Sequence, residues 1–313
     1  MNQQVTHDSE VPSELRAHIT AEKLKPPSEM LSRSVPLIVW NVAIPFFFIA
    51  VMVVIARIES VHPVVVLGLA FPLALASQRC FQTLVHDIAH KLISLDLARN
   101  DLLGNYLAAG WIGASIQAYR AVHTQHHRYN GSTRDPEHIS YAEVRDNGGL
   151  LRHNLRYILG LEATRLVKKY YGRKEKLEPD EATVAKQVRA TKLHLFVCQA
   201  ALALLFIFAA DAWYLYCLWL YLAVTWNPLL SRLRFLVEHP GESDLTVSTD
   251  ASFLERLYFA PYNFNYHLEH HLWPSVPPYR LSNAHRYLVE QQYFERHPEF
   301  RGDGFIKSLS GRG

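Results

Sequence analysis

The chain reads as an all-α integral membrane protein, with four transmembrane helices in two hairpins and a cytoplasmic helical cap. Three observations predict this. Apolar residues are gathered into four long blocks that come in two pairs. The basic residues fall almost entirely on one side of those blocks. Three histidine clusters, each at helical spacing, fall on that same side.

A helix needs about 20 apolar residues to cross a bilayer. Val35 to Ala56 carries no charge and gives the first span. Val61 to Gln78 gives the second, Leu193 to Ala210 the third and Ala212 to Leu230 the fourth. Arg57-Ile-Glu-Ser60 separates the first pair, and Asp211 alone separates the second. Mean hydropathy over the whole chain is −0.04, which taken alone fits a soluble protein. That average hides the blocks. Two hairpins put both turns on one face of the membrane and everything else on the other. All 32 Lys and Arg except Arg57 then lie with the termini and the central region. The positive-inside rule makes that side cytoplasmic.

Leu102 to Tyr119 is also uncharged. A fifth span there would put the first and second histidine clusters on opposite faces. Gly104, Gly110 and Gly113, with Asn105 and Gln117, favour a helix lying at or dipping into the interface. The expected organisation is a polar N-terminal tail (1–34), a membrane domain with its cap (35–285) and a C-terminal tail (286–313). The first thirty residues lack the apolar core of a signal peptide. The charged 172–187 segment is expected to be an exposed loop or helix start. Cys80, Cys198 and Cys217 have no CxxC spacing and read as free and buried, which excludes a disulfide framework or a cysteine zinc site. A net charge of +3 is no electrostatic footprint for nucleic acid.

The clusters are His86-Asp-Ile-Ala-His90, His123-Thr-Gln-His126-His127 and His267-Leu-Glu-His270-His271. Residues three and four apart share a helix face, so each cluster aims its imidazoles one way. Neutral imidazole suits Zn, Cu, Fe and Ni rather than Mg or Ca. Zinc takes three or four protein ligands. Eight aimed imidazoles exceed that and suffice for two ions. His239, just after the fourth span, is a ninth candidate. Soluble di-iron bundles use carboxylates, and no matching carboxylate set stands out. The expected site is therefore a histidine-rich di-metal site held by the cap.

HDIAH, HTQHH and HLEHH resemble the three histidine boxes of the membrane fatty acid desaturase and hydroxylase superfamily, over about residues 35–285. Asp87 follows the first box histidine, and Arg134-Asp135-Pro136 follows the second box. Asn265-Tyr266 precede the third, and Leu272-Trp273-Pro274 follow it. Glu238-His239 resembles the extra histidine that members carry between the last span and the third box. The resemblance implies two iron ions (Fe2+/Fe3+) on His86, His90, His123, His126, His127, His239, His267, His270 and His271, with dioxygen as co-substrate. It implies a lipid or acyl substrate drawn from the bilayer. It also implies a separate electron-donor protein that is ferredoxin-like, rubredoxin-like or a b-type cytochrome. Asp87, Asp135, Glu269 and Asn265 are candidates to orient the ligating imidazoles.

Three positions depart from patterns within the superfamily. Phe235 stands where some eukaryotic acyl-CoA desaturases have an Asn that acts through water. His267 stands where many front-end desaturases have Gln. His239-Pro240-Gly241 is similar to part of a haem-binding motif, but Glu242 breaks it.

The expected reaction is desaturation of a fatty acid or lipid, creating a C=C bond. Hydroxylation or ketolation by the same site is the alternative. A membrane zinc hydrolase would use about three histidines and leave five or six without a role. A metal transporter would place ionisable ligands inside the spans, where His62 and His194 stand only at the edges. His138, His153, His194, His285 and His297 lack box spacing and read as surface or packed residues. His62 falls on the opposite side of the membrane, and His7 and His18 fall in the N-terminal tail.

Overall fold

The structure is a computed structural model that describes residues 22, 24–130, 135–136, 150–162, 192–240 and 246–310. His7, His18, Arg134, His138, the side chain of His153, Gly241, Glu242 and the 172–187 segment lie outside the described residues. Those described are overwhelmingly helical. They divide into two compact units, one of residues 38–120 and 151–229, the other of residues 1–37, 121–150 and 230–313.

The first unit carries the apolar helices. Helix α1 (Val35–Ala56) and helix α2 (Pro63–Ala89) are long and apolar enough to cross a membrane. On α1, Trp40, Phe47 and Val54 are exposed. An apolar face of that extent calls for lipid rather than water. Proline at the first helical position starts α2, and the His62 ring accepts a hydrogen bond from the Val64 amide. Helix α2 continues past the predicted end of its span, Gln78, and carries the first histidine cluster at its C-terminal end. Ser77 Oγ donates to the Pro45 carbonyl at 2.9 Å, which ties the two helices together.

The uncharged 102–119 stretch is not one helix. It breaks into α3 (Leu97–Leu107), a 3-10 turn (Ala109–Ile112) and α4 (Ile116–Tyr129). Helix α5 covers Leu150–Ile158. The predicted third span is a shorter apolar helix, α6 (Lys192–Leu204), which ends in a π-helical turn over Leu205–Ala209. The predicted fourth is split at Thr225 into α7 (Tyr214–Val224) and α8 (Trp226–Glu238). Thr225 Oγ1 bonds back to the Tyr221 carbonyl at 2.6 Å, the local competition with helix bonding that bends helices at threonine. Two described helices thus have the length and composition to cross, and the other two apolar stretches are shorter or broken.

Side chains close the backbone of the 3-10 turn. Gln199 donates to the Gly110 and Trp111 carbonyls, and the Trp219 indole donates to Trp111 as well. Within an apolar medium each open carbonyl would cost several kcal/mol. Gly110 is required there, because a Cβ would lie 2.6 Å from Cys198 Sγ. Phe81 and Trp219 are fully buried, and Trp111 stacks on Phe81. Cys80 and Cys198 are buried as expected, but Cys217 is exposed, because its position on α7 points away from the buried Leu215, Trp219 and Leu222.

The second unit contains the end of α4, the end of α8, and α9 (Phe253–Tyr258), α10 (His267–Leu272), α11 (Leu281–Glu290), α12 (Tyr293–Arg296) and α13 (Phe305–Ser310). Strands β1 (Ser248–Thr249) and β2 (Arg301–Gly302) pair in parallel. Leu268, Leu272, Trp273, Leu281, Leu288 and Tyr293 form its core. Residues 286–310 supply part of α11 and all of α12, β2 and α13.

Candidate metal centre

Seven of the nine predicted ligands lie in the second unit, and all seven are buried. His123, His126 and His127 come from the last turns of α4, His239 from the residue after α8, and His267, His270 and His271 from α10. The HxxHH spacing does what helical geometry demands, turning three rings to one side. Ahead of α10, Tyr262 and Asn263 both take left-handed backbone, with φ of 60° and 65°. That costs about 1–3 kcal/mol at such a residue, and it is tolerated where the surrounding fold fixes the entry into a site.

The ring nitrogens converge in two groups. His126, His239, His267 and His271 each offer one nitrogen, all within 4.8 Å of one another. His267 Nε2 lies 3.1 Å from both His239 Nε2 and His271 Nε2. In the other group, His127 Nε2 lies 2.9 Å from His123 Nε2 and 3.0 Å from His270 Nε2. A ring nitrogen has either one proton or one lone pair. Neither His267 Nε2 nor His127 Nε2 can satisfy two such neighbours at once. A cation at each convergence point would satisfy all of them, so the donor set fits a metal.

The electrostatics agree with the geometry. Burial holds His267 well below the usual imidazole range, with His239 and Arg234 adding to the effect. Burial does the same for His271, helped by His127 and His267. Both rings are therefore neutral with lone pairs available, the form that binds metals. Glu238 is fully buried, with Oε2 3.0 Å from Arg234 Nε and 3.6 Å from His267 Nε2.

The far nitrogens are held from behind. His126 Nδ1 meets Asp135 Oδ2 at 3.0 Å. His239 Nδ1 faces Thr246 Oγ1 at 3.4 Å, and Asn130 in turn donates to Thr246. Such partners fix the tautomer and the direction of the ligating nitrogen. Glu269 bonds to Ser248 and His285, and Asn265 donates to the Thr249 carbonyl. Those two predicted partners brace the backbone around the third cluster. Thr246, Ser248 and His285 carry no box spacing, and nothing in the sequence marks them.

His86 and His90 belong to the first unit. His86 is buried and its Nδ1 lies 2.9 Å from Asp87 Oδ1. His90 follows the last residue of α2, and the two rings are 5.2 Å apart. The end of α2 is clamped. Asn100 donates to the Ile88 carbonyl, Arg120 Nε donates to Ala89, and Arg120 pairs with Asp101 through both terminal nitrogens. The carbonyls that a helix end leaves open are thereby filled next to the first cluster.

The described residues are mostly helical, include two helices long and apolar enough to cross a membrane, and gather imidazoles into two clusters that could each hold a metal ion. The fatty acid desaturase family model matches residues 60–302. The chain belongs to the fatty acid desaturase family. A search of the curated proteins finds no match. Membership of the family makes the chain an oxidoreductase of the lipid desaturase and hydroxylase type, and with α1 and α2 it makes a membrane protein.

Proposed function

We propose that the chain is a dioxygen-dependent di-iron desaturase of a fatty acid or lipid, introducing a C=C bond. The observation that carries this reading is the convergence of seven buried imidazoles into two groups, within a chain of the desaturase family. Each group holds one iron. By the box pattern of the family, His86 and His90 complete the group of His123, His127 and His270. The spans number four, the helical cap faces the cytoplasm, and a separate carrier protein delivers electrons. Two irons, when bound, supply the dioxygen reduction and the C–H oxidation.

The chain's own residues set the conditions. Burial keeps His267 and His271 neutral, and together with His126 and His239 they present ring nitrogens to one point. Asp135 and Thr246 accept or share the proton on the far ring nitrogen and so fix which nitrogen binds. Burial of the set excludes water. The buried Arg234–Glu238 pair places a carboxylate beside His267, which offsets positive charge collected there.

Expression of the chain and of His126→Ala in a host, with lipid profiling, tests the reading. A product lighter by two hydrogens, formed only by the unaltered chain, supports desaturation. A product heavier by one oxygen replaces desaturation with hydroxylation. Turnover with one zinc and no iron would sink the di-iron reading.

A further inference from the structure

Helix α10 carries three of the candidate ligands on only six residues. Isolated helices that short do not hold themselves together. Its N-cap, Tyr266, makes no side-chain cap. Something else must set its rotation, and metal sites need their groups within about 0.5 Å and 10–20° of the working geometry.

The brace is on the opposite side of the helix. At about 100° per residue, Glu269 points about 150° away from the mean direction of His267, His270 and His271. Its carboxylate is fully buried, and Oε1 accepts two hydrogen bonds, from His285 Nδ1 at 2.6 Å and from Ser248 Oγ at 3.0 Å. The His285 ring is itself fixed. It stacks on Tyr266 with centroids 4.4 Å apart and leans on Phe294 at 5.1 Å. It stands on α11, which is seated through the buried Leu281, Ala284 and Leu288. Ser248 bridges to Tyr266 and pairs with Arg301 on the strand behind it. A residue eighteen positions from the third cluster's first ligand thus holds that cluster from the rear.

We propose that His285 is a positioning residue: through Glu269, and together with Ser248, it fixes the rotation of α10 and hence the aim of His267, His270 and His271. The proposal rests on the reading of those three as metal ligands. The mere filling of space by His285 is separable from this role. Asn presents an N–H where His presents Nδ1–H, but it has no ring to stack.

The experiment uses the full chain in lipid nanodiscs and compares His285→Ala, His285→Asn and Arg286→Ala, the last an exposed neighbour on the same helix. Backbone hydrogen exchange over residues 266–273 is read without metal. Cobalt(II) titration is then read by its d–d absorption, which reports ligand geometry. His285→Ala is expected to speed exchange in that segment about tenfold or more and to weaken cobalt binding roughly 10–100-fold with an altered spectrum. His285→Asn is expected to restore most of both, and Arg286→Ala to change neither. Wild-type exchange and spectrum in His285→Ala overturn the proposal. So does an Asn variant as impaired as the Ala variant, since packing would then be the whole role. If His285→Ala does not fold, the Asn variant measured against wild type decides. Failure of the unaltered chain to bind cobalt or iron overturns the metal reading instead, and the exchange comparison still decides the brace.

Discussion

Nδ1 of His126 lies 3.0 Å from Oδ2 of Asp135, with both side chains wholly buried. A carboxylate there accepts the Nδ1 proton and leaves Nε2 bare, facing His239, His267 and His271. It also raises the basicity of the ring. Partners of this kind typically carry 10–100-fold in metal affinity or activity. Asp135→Ala is expected to lower iron retention and turnover by about that much. Asp135→Asn is expected to lose less, because its amide oxygen accepts the same proton. Iron per chain after dialysis against a chelator, with turnover beside it, checks both.

The clamp on the first cluster gives a second expectation. Arg120 donates to the Ala89 carbonyl and pairs with Asp101, which is mostly buried. Removing one partner of a buried pair costs about 3–5 kcal/mol, and less where one partner is partly exposed, as Arg120 is. Arg120→Ala is therefore expected to destabilise by about 2–3 kcal/mol. Arg120→Lys keeps the charge but loses the fork and should fall between. Denaturant unfolding in mild detergent measures the difference. An unaltered midpoint for Arg120→Ala would mean that the clamp adds nothing.

A third expectation concerns pH in the metal-free protein. His267 and His271 are held below the usual imidazole value, near 6.5. Below that value the unfolded chain takes up protons on these residues, while the folded chain resists. Stability therefore rises with pH wherever the unfolded state binds more protons. The metal-free protein should be at full stability above about pH 6.5 and lose it as pH falls below that. Unfolding midpoints from pH 8 to 5 would show it, roughly. A flat profile in that window would place charged, solvated imidazoles where neutral ones are described.

Much of this was legible in the residues. The three clusters are periodic, and periodicity survives translation into a helix, so the convergence of His267 with His271 and of His123 with His127 could be read directly. His239 was legible from its place after an apolar block. The break at Thr225 was not, because an apolar stretch shows length but not the hydroxyl's preference for its own backbone. Nor was the role of His285. Its contact with Glu269 depends on how α11 folds back on α10, which no local spacing encodes. The two predicted orienting residues in or beside the third cluster, Glu269 and Asn265, were marked by proximity in sequence. Their bonds run to His285, Ser248 and Thr249 instead.

The proposed topology yields a fourth expectation. With four spans and the basic residues on one side, reporter fusions at Gly313 and within 172–187 should report cytoplasm. A fusion at Glu59 should report the opposite face. An external position for 172–187 would place the second cluster away from the third in compartment, and the shared site would fail with it.

His239 separates ligand from scaffold. It follows the last turn of α8, with its amide bonded to the Phe235 carbonyl and its ring between His267 and Thr246. The backbone bond survives loss of the ring, and the apolar helices do not depend on one imidazole. His239→Ala is thus expected to abolish turnover while leaving membrane insertion and the unfolding midpoint nearly unchanged. Phe235, one turn earlier, offers no polar side chain that could take the ring's place. Iron content, coupled ferric spectra and turnover, measured on the same preparation, check the outcome. Near-normal turnover would remove His239 from the ligand set. The group would then be His126, His267 and His271, with Glu238 as the nearest carboxylate to His267 able to complete it.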